Sequence, residues 1–288
     1  GANLGMTQNG RVEAALRGIR LNTDAIDNSA GVNTSDVEVN LKIALSIPER
    51  DGRITRKERD KVLVQMTENV AELVLRNNYQ QTLAISLAER HGMDDFGFEQ
   101  RLMQTLEARG ELNRAVEFLP DDLALEERRR KSQPLTRPEL SVLLAYAKLT
   151  LYEDLLKSKV PDDPYLAQEV LRYFPPLLAK KFPDAMEHHR LRREIISTQL
   201  TNSMINRGGP SLIDKLDNAV PGKTQLDLYA AVQDLLIDRL TWFLRNVDVS
   251  AGLADIIARY QAGIDAVGKA LDKLLPEDAA KSPTARAD

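Results

Sequence analysis

The chain has 288 residues, 43% of them hydrophobic and 28% charged, which is enough apolar material to bury a substantial core in about two domains. The absence of cysteine excludes disulfides and thiolate chemistry and makes the cytoplasm the expected compartment, and no run of about 18 apolar residues that could span a membrane occurs. The formal net charge of −4 argues against a partner as acidic as nucleic acid.

The first 48 residues predict several short elements. VEAALRG is typical of a short helix that ends at Gly18, and IRLNTDAIDN at 19–28 is typical of a brief strand entering a turn. A longer helix follows, with Thr34 or Ser35 as its N-cap and acidic residues in its first turn, where the helix dipole favours negative charge. The chain opens with Gly-Ala-Asn and no initiator methionine, so we expect it to be part of a larger protein.

Helical patterns dominate the sequence from about residue 49 to residue 216. Thr55 and Glu58 form a predicted capping box, and apolar residues from Val62 to Val74 continue that helix at helical spacing. Further helices, one of them starting with the similar pair Thr136 and Glu139, are predicted at 78–91, 95–109, 111–118, 121–131, 136–157, 163–173, 175–181 and 184–206.

The C-terminal part predicts a break, a linker and a pair of helices. Gly208-Gly209-Pro210 interrupts the helical pattern, a short helix follows to Leu216, and 217–223 has the composition of a linker. Apolar residues from Leu228 to Leu244 predict a long helix, and 250–274 predicts a second one antiparallel to it. We therefore predict four regions: 1–48, a helical domain at 49–216, a helical hairpin at 217–275 and a disordered tail at 276–288.

Signals for nucleotide, metal and anion binding are absent or weak. No G-x-G-x-x-G follows a strand and no G-x-x-x-x-G-K-[ST] loop occurs, so the chain does not hold a complete nucleotide-binding fold. His91, His188 and His189 have neither H-E-x-x-H spacing nor cysteine partners, so we predict no metal site. HHRLRRE at 188–194 is typical of a solvated helix face, with anion binding as the alternative, and the basic run at 128–131 suits a helix C-terminus.

The stretch DNSAGVNTS at 27–35 is the best candidate for a binding site. A strand ending at Asn28, followed by a tight turn and a helix whose first turn holds Thr34 and Ser35, would aim amide donors and hydroxyls at one small volume. Such a place suits a carboxylate or a carboxamide. The alternative is that Asp27 and Asn28 form an Asx-turn and that Ser35 caps a helix. Local chemistry leaves both interpretations open.

Two motifs resemble the glutamate dehydrogenase superfamily, and within it the large NAD-specific branch with very long subunits. GAN at the start of the chain, with Thr7 downstream, resembles a family loop beside the cofactor, and this resemblance places Asn3 there. NTDAIDNSAGVNTSDVEVNLKIAL at 22–45 resembles the family segment N-A-G-G-V-x-x-S-x-x-E. By this alignment Asn28 lies near the nicotinamide carboxamide, and Ser35 meets the side-chain carboxylate of the substrate.

The resemblance extends over most of the chain, because the FLPDD, LTRPELSVLLAYAK and YFP segments are also similar to that branch. It implies a mainly α fold in which a short terminal piece of an α/β dinucleotide-binding domain at 1–48 precedes a multi-helix domain. It implies an oxidoreductase that deaminates L-glutamate to 2-oxoglutarate and ammonia with NAD as the hydride acceptor. The catalytic lysine and aspartate would belong to the remainder of the parent polypeptide, so no catalytic residue is expected in this chain.

In that scheme the chain supplies one wall of the site and a helical module that helps form a homo-oligomer, and it is inactive alone. Members of the branch carry an extra helical stretch between segments like GGPSLIDKL and QLDLY, which only a handful of residues separate here. The alternative function is a non-catalytic helical interaction or scaffold module. A third idea, an RNA-binding helical protein, rests on the basic clusters alone, and the net charge opposes it.

Overall fold

Helices form the framework of the computed structural model, which describes residues 5–219, with side chains up to residue 215. Three short 3₁₀ turns, at Gly92–Asp94, Val160–Asp162 and Pro164–Leu166, join some of the helices. The α-helices in this part of the chain are α1 Gln8–Leu16, α2 Asp24–Asp27, α3 Ser29–Arg50, α4 Arg56–Gln65, α5 Thr67–His91, α6 Phe96–Ala108, α7 Asp122–Arg130, α8 Arg137–Lys157, α9 Ala167–Tyr173, α10 Pro176–Lys181, α11 Pro183–Glu187, α12 Arg192–Gly208 and α13 Leu212–Ala219.

The mainly α fold class is confirmed, and residues 5–219 contain no strand. By its internal contacts the chain divides into two compact units, Gly1–Asp214 and Lys215–Asp288. The predicted helical hairpin and tail lie outside the described residues. The predicted domain boundaries at 48 and 216 stay predictions.

The brief strand predicted at 19–28 is wrong. Residues 19–23 are irregular, and α2 begins directly after Thr23. The helix expected to start at Thr34 or Ser35 starts instead at Ser29, so most of the polar stretch is helical. Side-chain contacts with helices distant in sequence, such as the contact of Ser29 with Asn78 on α5, override the turn-like composition of this stretch.

Both predicted capping boxes are confirmed. Thr55 caps α4 and Thr136 caps α8, and in each case the glutamate three residues later accepts a hydrogen bond from the N-cap backbone. The apolar stripe that follows Thr55 is nevertheless split, because α4 ends at Gln65. Met66 is fully buried, and its N–H binds the Leu63 carbonyl at 3.0 Å instead of continuing the α-helical pattern.

The helix predicted at 111–118 is wrong, because these residues form hydrogen-bonded turns. Phe118 has a positive φ of 55°, which is incompatible with a continuing right-handed α-helix. Arg114 fixes the turns from the side: its guanidinium binds the Glu107 carboxylate at 2.7 Å, the Pro120 carbonyl at 3.2 Å and the Asp122 carboxylate at 3.0 Å. A tertiary ion-pair cluster therefore decides a local conformation.

The single helix predicted at 184–206 is two helices, α11 and α12, separated by residues 188–191. His189 causes the interruption, since its ring is buried and hydrogen-bonded to the Asn40 carbonyl at 3.1 Å and the Leu191 N–H at 3.1 Å. The predicted break after α12 is confirmed, where Gly209 has the positive φ of 78° that glycine adopts at helix ends.

Helix α8 lies at the centre of the first unit and packs against α1, α5 and α12. Leu143, Leu144 and Leu151 on α8 are all but completely buried, as are Ile85 on α5 and Ile196 on α12. Each such side chain contributes about 1.5 to 3 kcal/mol by leaving water. The helix that carries the polar stretch, α3, packs against α5 and so against this core.

No helix of the described part of the chain has both the length and the apolar character needed to cross a bilayer.

Candidate functional site

Two of the predicted site residues lie near the junction of α2 and α3. We call residues 22–40, which contain this junction, the 22–40 segment. Asn28 lies between the last residue of α2 and the first residue of α3, and it is half-buried. Ser35 is exposed on the second turn of α3. Asn3 lies outside the described residues. Asn28 and Ser35 are seven residues apart, so a helix places them on nearly the same face, about 10 Å apart along the axis.

Asp27 is fixed by residues that precede it. The backbone N–H of Asn22 donates to the Asp27 carboxylate at 3.3 Å, and the Asn22 side-chain amide donates to it at 2.8 Å. Arg11 donates to the same carboxylate at 3.2 Å and also forms an ion pair with Asp24. The Asx-turn alternative is therefore wrong for Asp27, whose oxygens bind backward to Asn22 and Arg11.

The hydroxyls of the polar stretch have separate roles. Ser29 is buried, donates to the Ile26 carbonyl at 3.1 Å and contacts Asn78 on α5, which anchors the first turn of α3. Thr34 donates to the Ala30 carbonyl at 2.7 Å. Ser35 lies inside α3, so the alternative in which it caps the helix is wrong.

A small cavity of about 400 Å³ opens at the start of α3. Its lining combines one carboxamide and one carboxylate with small residues, and a Cβ atom added at Gly31 would lie in open space. Ser35, further along α3, does not line it. The lining residues are Asp24, Ala25, Asn28, Ser29, Gly31 and Val32.

A second polar cluster, which the sequence did not reveal, ties α3 to α9. The Tyr173 hydroxyl donates to the Asp36 carboxylate at 2.8 Å and accepts from the Asn40 side-chain amide at 2.7 Å. Burial and the nearby Asp36 charge raise the pKa of Tyr173, so it stays protonated. The acidic residues after Ser35 were explained as dipole partners, and nothing in the sequence pointed to a tyrosine so distant along the chain.

His189 completes this cluster. Since the Asn40 carbonyl can only accept and the Leu191 N–H can only donate, the ring carries its proton on Nε2 and accepts at Nδ1. Burial lowers the pKa of His189, so the neutral form is favoured. His189 thus departs from the solvated helix face predicted for 188–194.

A broader concave surface of about 840 Å³ lies along the outer side of α3. Lys42 there pairs with Glu38 at 2.5 Å, and Arg50 lies 3.5 Å from the Asp51 carboxylate. The surface therefore mixes both signs of charge on exposed side chains, and its lining consists of Val39, Lys42, Ile43, Ser46, Ile47, Arg50, Asp51, Asp184, His188 and Arg190.

The basic run at 128–131 lies in the last turn and C-cap of α7, as predicted. Each side chain also has a protein partner: Arg128 pairs with Glu139 at 2.8 Å, and the other three bind Gln100, Glu126 and Glu127. Within residues 5–219, no group of three or more histidine, aspartate or glutamate side chains is arranged to hold a metal ion.

Two family models match the sequence. The model described as bacterial NAD-glutamate dehydrogenase, catalytic domain, matches residues 1–88, and the model described as glutamate dehydrogenase, C-terminal, matches residues 132–214 and 210–288. The first match contains the whole 22–40 segment. The second contains Tyr173 and His189 of the polar cluster, and the helices α8 and α12 of the core.

Three relatives are each named NAD-specific glutamate dehydrogenase. The protein of Pseudomonas aeruginosa is 44% identical over 309 aligned positions, which cover 96% of this chain and 19% of the relative. The Halomonas elongata protein is 42% identical over 85% of this chain and 17% of the relative, and the Mycobacterium tuberculosis protein is 37% identical over 79% and 14%. The chain thus spans less than a fifth of the length of these relatives.

Proposed function

Since the chain belongs to the glutamate dehydrogenase C-terminal family, we propose that it is part of an enzyme that oxidatively deaminates L-glutamate to 2-oxoglutarate and ammonia, with NAD as the hydride acceptor. The observation that carries this proposal is the match of residues 1–88 to the catalytic domain of bacterial NAD-glutamate dehydrogenases. The relatives with 37 to 44% identity, all named NAD-specific glutamate dehydrogenase, support it.

The 22–40 segment forms one wall of the active site in this proposal. Asn28 holds the carboxamide of the nicotinamide, Ser35 donates to the side-chain carboxylate of glutamate, and Asn3 lies beside the cofactor. Two observations support the assignment: Asn28 lines a cavity, and the Ser35 hydroxyl is exposed on nearly the same helix face. A neutral hydroxyl that donates to a carboxylate forms one of the stronger hydrogen bonds in proteins.

The cavity beside Asn28 suits one end of the cofactor. Its volume of about 400 Å³ is near the lower limit of small-molecule sites, which run from about 300 to 1,000 Å³. The open space at Gly31 lets a ligand approach the backbone closely. When bound, NAD accepts the hydride, and the residues of this chain bind and orient one end of it.

The remaining parts of the proposal concern the enzyme as a whole. The dinucleotide-binding turn, the lysine that polarises the reacting carbon and the aspartate that moves protons belong to the rest of the parent polypeptide. Residues 1–48 are the terminal piece of that α/β domain, and the chain alone is inactive. A cytoplasmic location fits the absence of cysteine.

Homo-oligomerisation is the proposed role of the helical body. Leu75, Tyr79 and Leu83 form an exposed apolar stripe on α5, at the helical spacing of i, i+4 and i+8. Such a stripe can pair with the same stripe of a second copy around a two-fold axis. Its presence is also the observation that favours the alternative, an interaction module without catalysis.

The deciding experiment measures NADH formation by the full-length protein that carries this chain. We expect turnover with L-glutamate and NAD, and much slower turnover with L-leucine or with NADP. A folded full-length protein that forms no NADH from glutamate would refute the enzyme proposal and leave the interaction module.

A further inference from the structure

The 22–40 segment is held at its beginning by Arg137, the first residue of α8. The Arg137 side chain is only 7% exposed. Its Nε donates to the Asn22 side-chain oxygen at 3.2 Å, and its Nη1 donates to Glu89 at 2.7 Å and to Ser86 at 3.1 Å. Because the guanidinium is planar and these three partners fix it, Arg137 presents its Nε donor in one direction.

Arg137 acts on the segment through the carboxamide of Asn22. The amide oxygen faces Arg137, which can only donate, and the amide nitrogen faces the Asp27 carboxylate, which can only accept. This arrangement permits a single orientation of the Asn22 amide. The carboxylate that it holds belongs to the residue immediately before Asn28, so a contact from α8 sets the position of the proposed cofactor residue.

The same segment is held at its other end by Tyr173, the last residue of α9. Its buried hydroxyl bridges Asp36 and Asn40, which lie one turn apart on α3. Asp36 immediately follows Ser35, the proposed glutamate residue. His189 supports this end by donating to the Asn40 carbonyl.

Between these two attachments residues 31–35 face mainly outward, since Gly31, Val32, Thr34 and Ser35 are all exposed. The preceding Ser29 is buried against α5. A segment with fixed ends and an open middle presents a binding face with little freedom, which is what a precise site requires. Both attachments come from the part of the chain that matches the C-terminal family model, whereas the segment itself lies in the catalytic-domain match.

We propose that Arg137 and Tyr173 are positioning residues that clamp the two ends of the active-site wall, Arg137 for the cofactor end and Tyr173 for the glutamate end. The assignment of the two ends rests on the proposed function. The clamp gives the C-terminal family region a part in positioning the site.

The kinetic test uses Arg137→Met and Tyr173→Phe in the full-length protein. Tyr173→Phe removes the hydroxyl and keeps the ring, which packs edge-on against Phe174 with centroids 4.9 Å apart. We expect Arg137→Met to raise the KM for NAD roughly tenfold with little change in the KM for glutamate, and Tyr173→Phe to do the reverse. Equal changes in both KM values, or none, would overturn the assignment of the two ends.

Matched controls remove the same groups elsewhere. Tyr146→Phe deletes a hydroxyl that donates to Glu117 at 2.8 Å, and Arg114→Met deletes a partly buried guanidinium that pairs with Glu107 at 2.7 Å. Neither group touches the 22–40 segment, so both KM values should stay unchanged. If Arg137→Met does not fold, Arg137→Lys keeps a positive charge opposite Glu89 and removes the Nε donor to Asn22.

Hydrogen exchange measured by mass spectrometry on the same variants tests the clamp without relying on activity. We expect faster amide exchange in 24–36 for Arg137→Met and Tyr173→Phe, unchanged exchange in α12, and no change in 24–36 for the controls. Unchanged exchange in 24–36, or a uniform rise throughout the chain, would overturn the clamp. Absence of glutamate turnover in the wild type would refute the proposed function alone, and the exchange data would still decide the clamp.

Discussion

Ser35 is the residue on which the proposed substrate contact can be tested most directly. Its side chain is exposed within α3, so losing the hydroxyl leaves no buried group unsatisfied. We expect Ser35→Ala in the full-length protein to raise the KM for glutamate by an amount equivalent to about 1 to 3 kcal/mol, the range for a hydrogen bond to a charged group. Steady-state kinetics at saturating NAD measures it.

Ser46→Ala is the control for this prediction, because Ser46 is also exposed on α3 and its hydroxyl donates to the Ile43 carbonyl of its own helix. The control should leave the KM for glutamate unchanged. If Ser35→Ala also leaves it unchanged, Ser35 has no part in substrate binding.

At the same scale, sequence reasoning proposed 27–35 as a binding site but did not foresee how its side chains are bound. Asp27 was explained by local turn chemistry, yet its carboxylate is held by Asn22 and Arg11. Arg137 and Tyr173 could not be linked to the stretch, because more than 100 residues separate them from their partners Asn22 and Asp36. Such long-range hydrogen bonds have no periodic or local signature in a single sequence.

At the scale of elements, the helices that carry strong local signals were predicted well. The capping boxes at Thr55 and Thr136 fixed the starts of α4 and α8, because both reciprocal hydrogen bonds form within one turn of chain. The breaks at Met66 and His189 were missed. Met66 is fully buried at the first break, and the buried His189 ring binds the distant Asn40 carbonyl at the second. The helical pattern of the sequence continues through both positions, so it did not indicate either break.

Helix α5 carries the element-scale prediction. One of its faces packs against α8 and α12, and the other exposes Leu75 and Tyr79 at 66% each and Leu83 at 40%. We expect Tyr79→Lys to shift the full-length protein toward smaller assemblies, because a charge at the centre of a paired apolar stripe would be buried without a partner. Sedimentation velocity over a range of protein concentrations measures the shift.

The control for that variant is Leu123→Lys on α7, where Leu123 is 83% exposed and lies apart from the α5 stripe. It adds the same charge without touching the stripe and should leave the assembly unchanged. Equal sedimentation of wild type and Tyr79→Lys would remove α5 from the oligomer interface.

At the scale of the whole molecule, family boundaries and packing boundaries differ. The catalytic-domain match ends at residue 88, within α5, but α5 packs into the same core as α8 and α12 from the C-terminal family match. Both matches therefore contribute to one compact unit that runs to Asp214. The alignment with the Pseudomonas relative spans 309 positions, more than the 288 residues of this chain, which agrees with an extra stretch in that relative.

Two basic side chains in this unit, His189 and Lys148, have lowered pKa values, and each makes the unit more stable as pH rises. Burial lowers the pKa of His189 from 6.5, so stability is lost as pH falls below 6.5, where the unfolded chain binds the proton first. Burial lowers the pKa of Lys148 on α8 from 10.5 to about 7. Below pH 7 Lys148 is charged in the native state, and its buried charge lowers the free energy of unfolding by the full amount. This destabilisation is lost as pH rises from 7 toward 10.5, because in that window only the unfolded chain stays protonated.

Lys148→Met should therefore flatten the pH dependence between pH 7 and 10. The wild type should gain at most about 4 kcal/mol of unfolding free energy across this window, because its ammonium is costly to keep in the native state and its one described contact, to the Gln81 side-chain oxygen at 3.1 Å, is neutral. Urea unfolding at several pH values measures the slope. Lys157→Met removes an exposed lysine from the same helix and should show the same slope as the wild type. A slope that persists in Lys148→Met would mean that Lys148 stays charged in the native state throughout pH 7 to 10, and that water or a counter-charge reaches it.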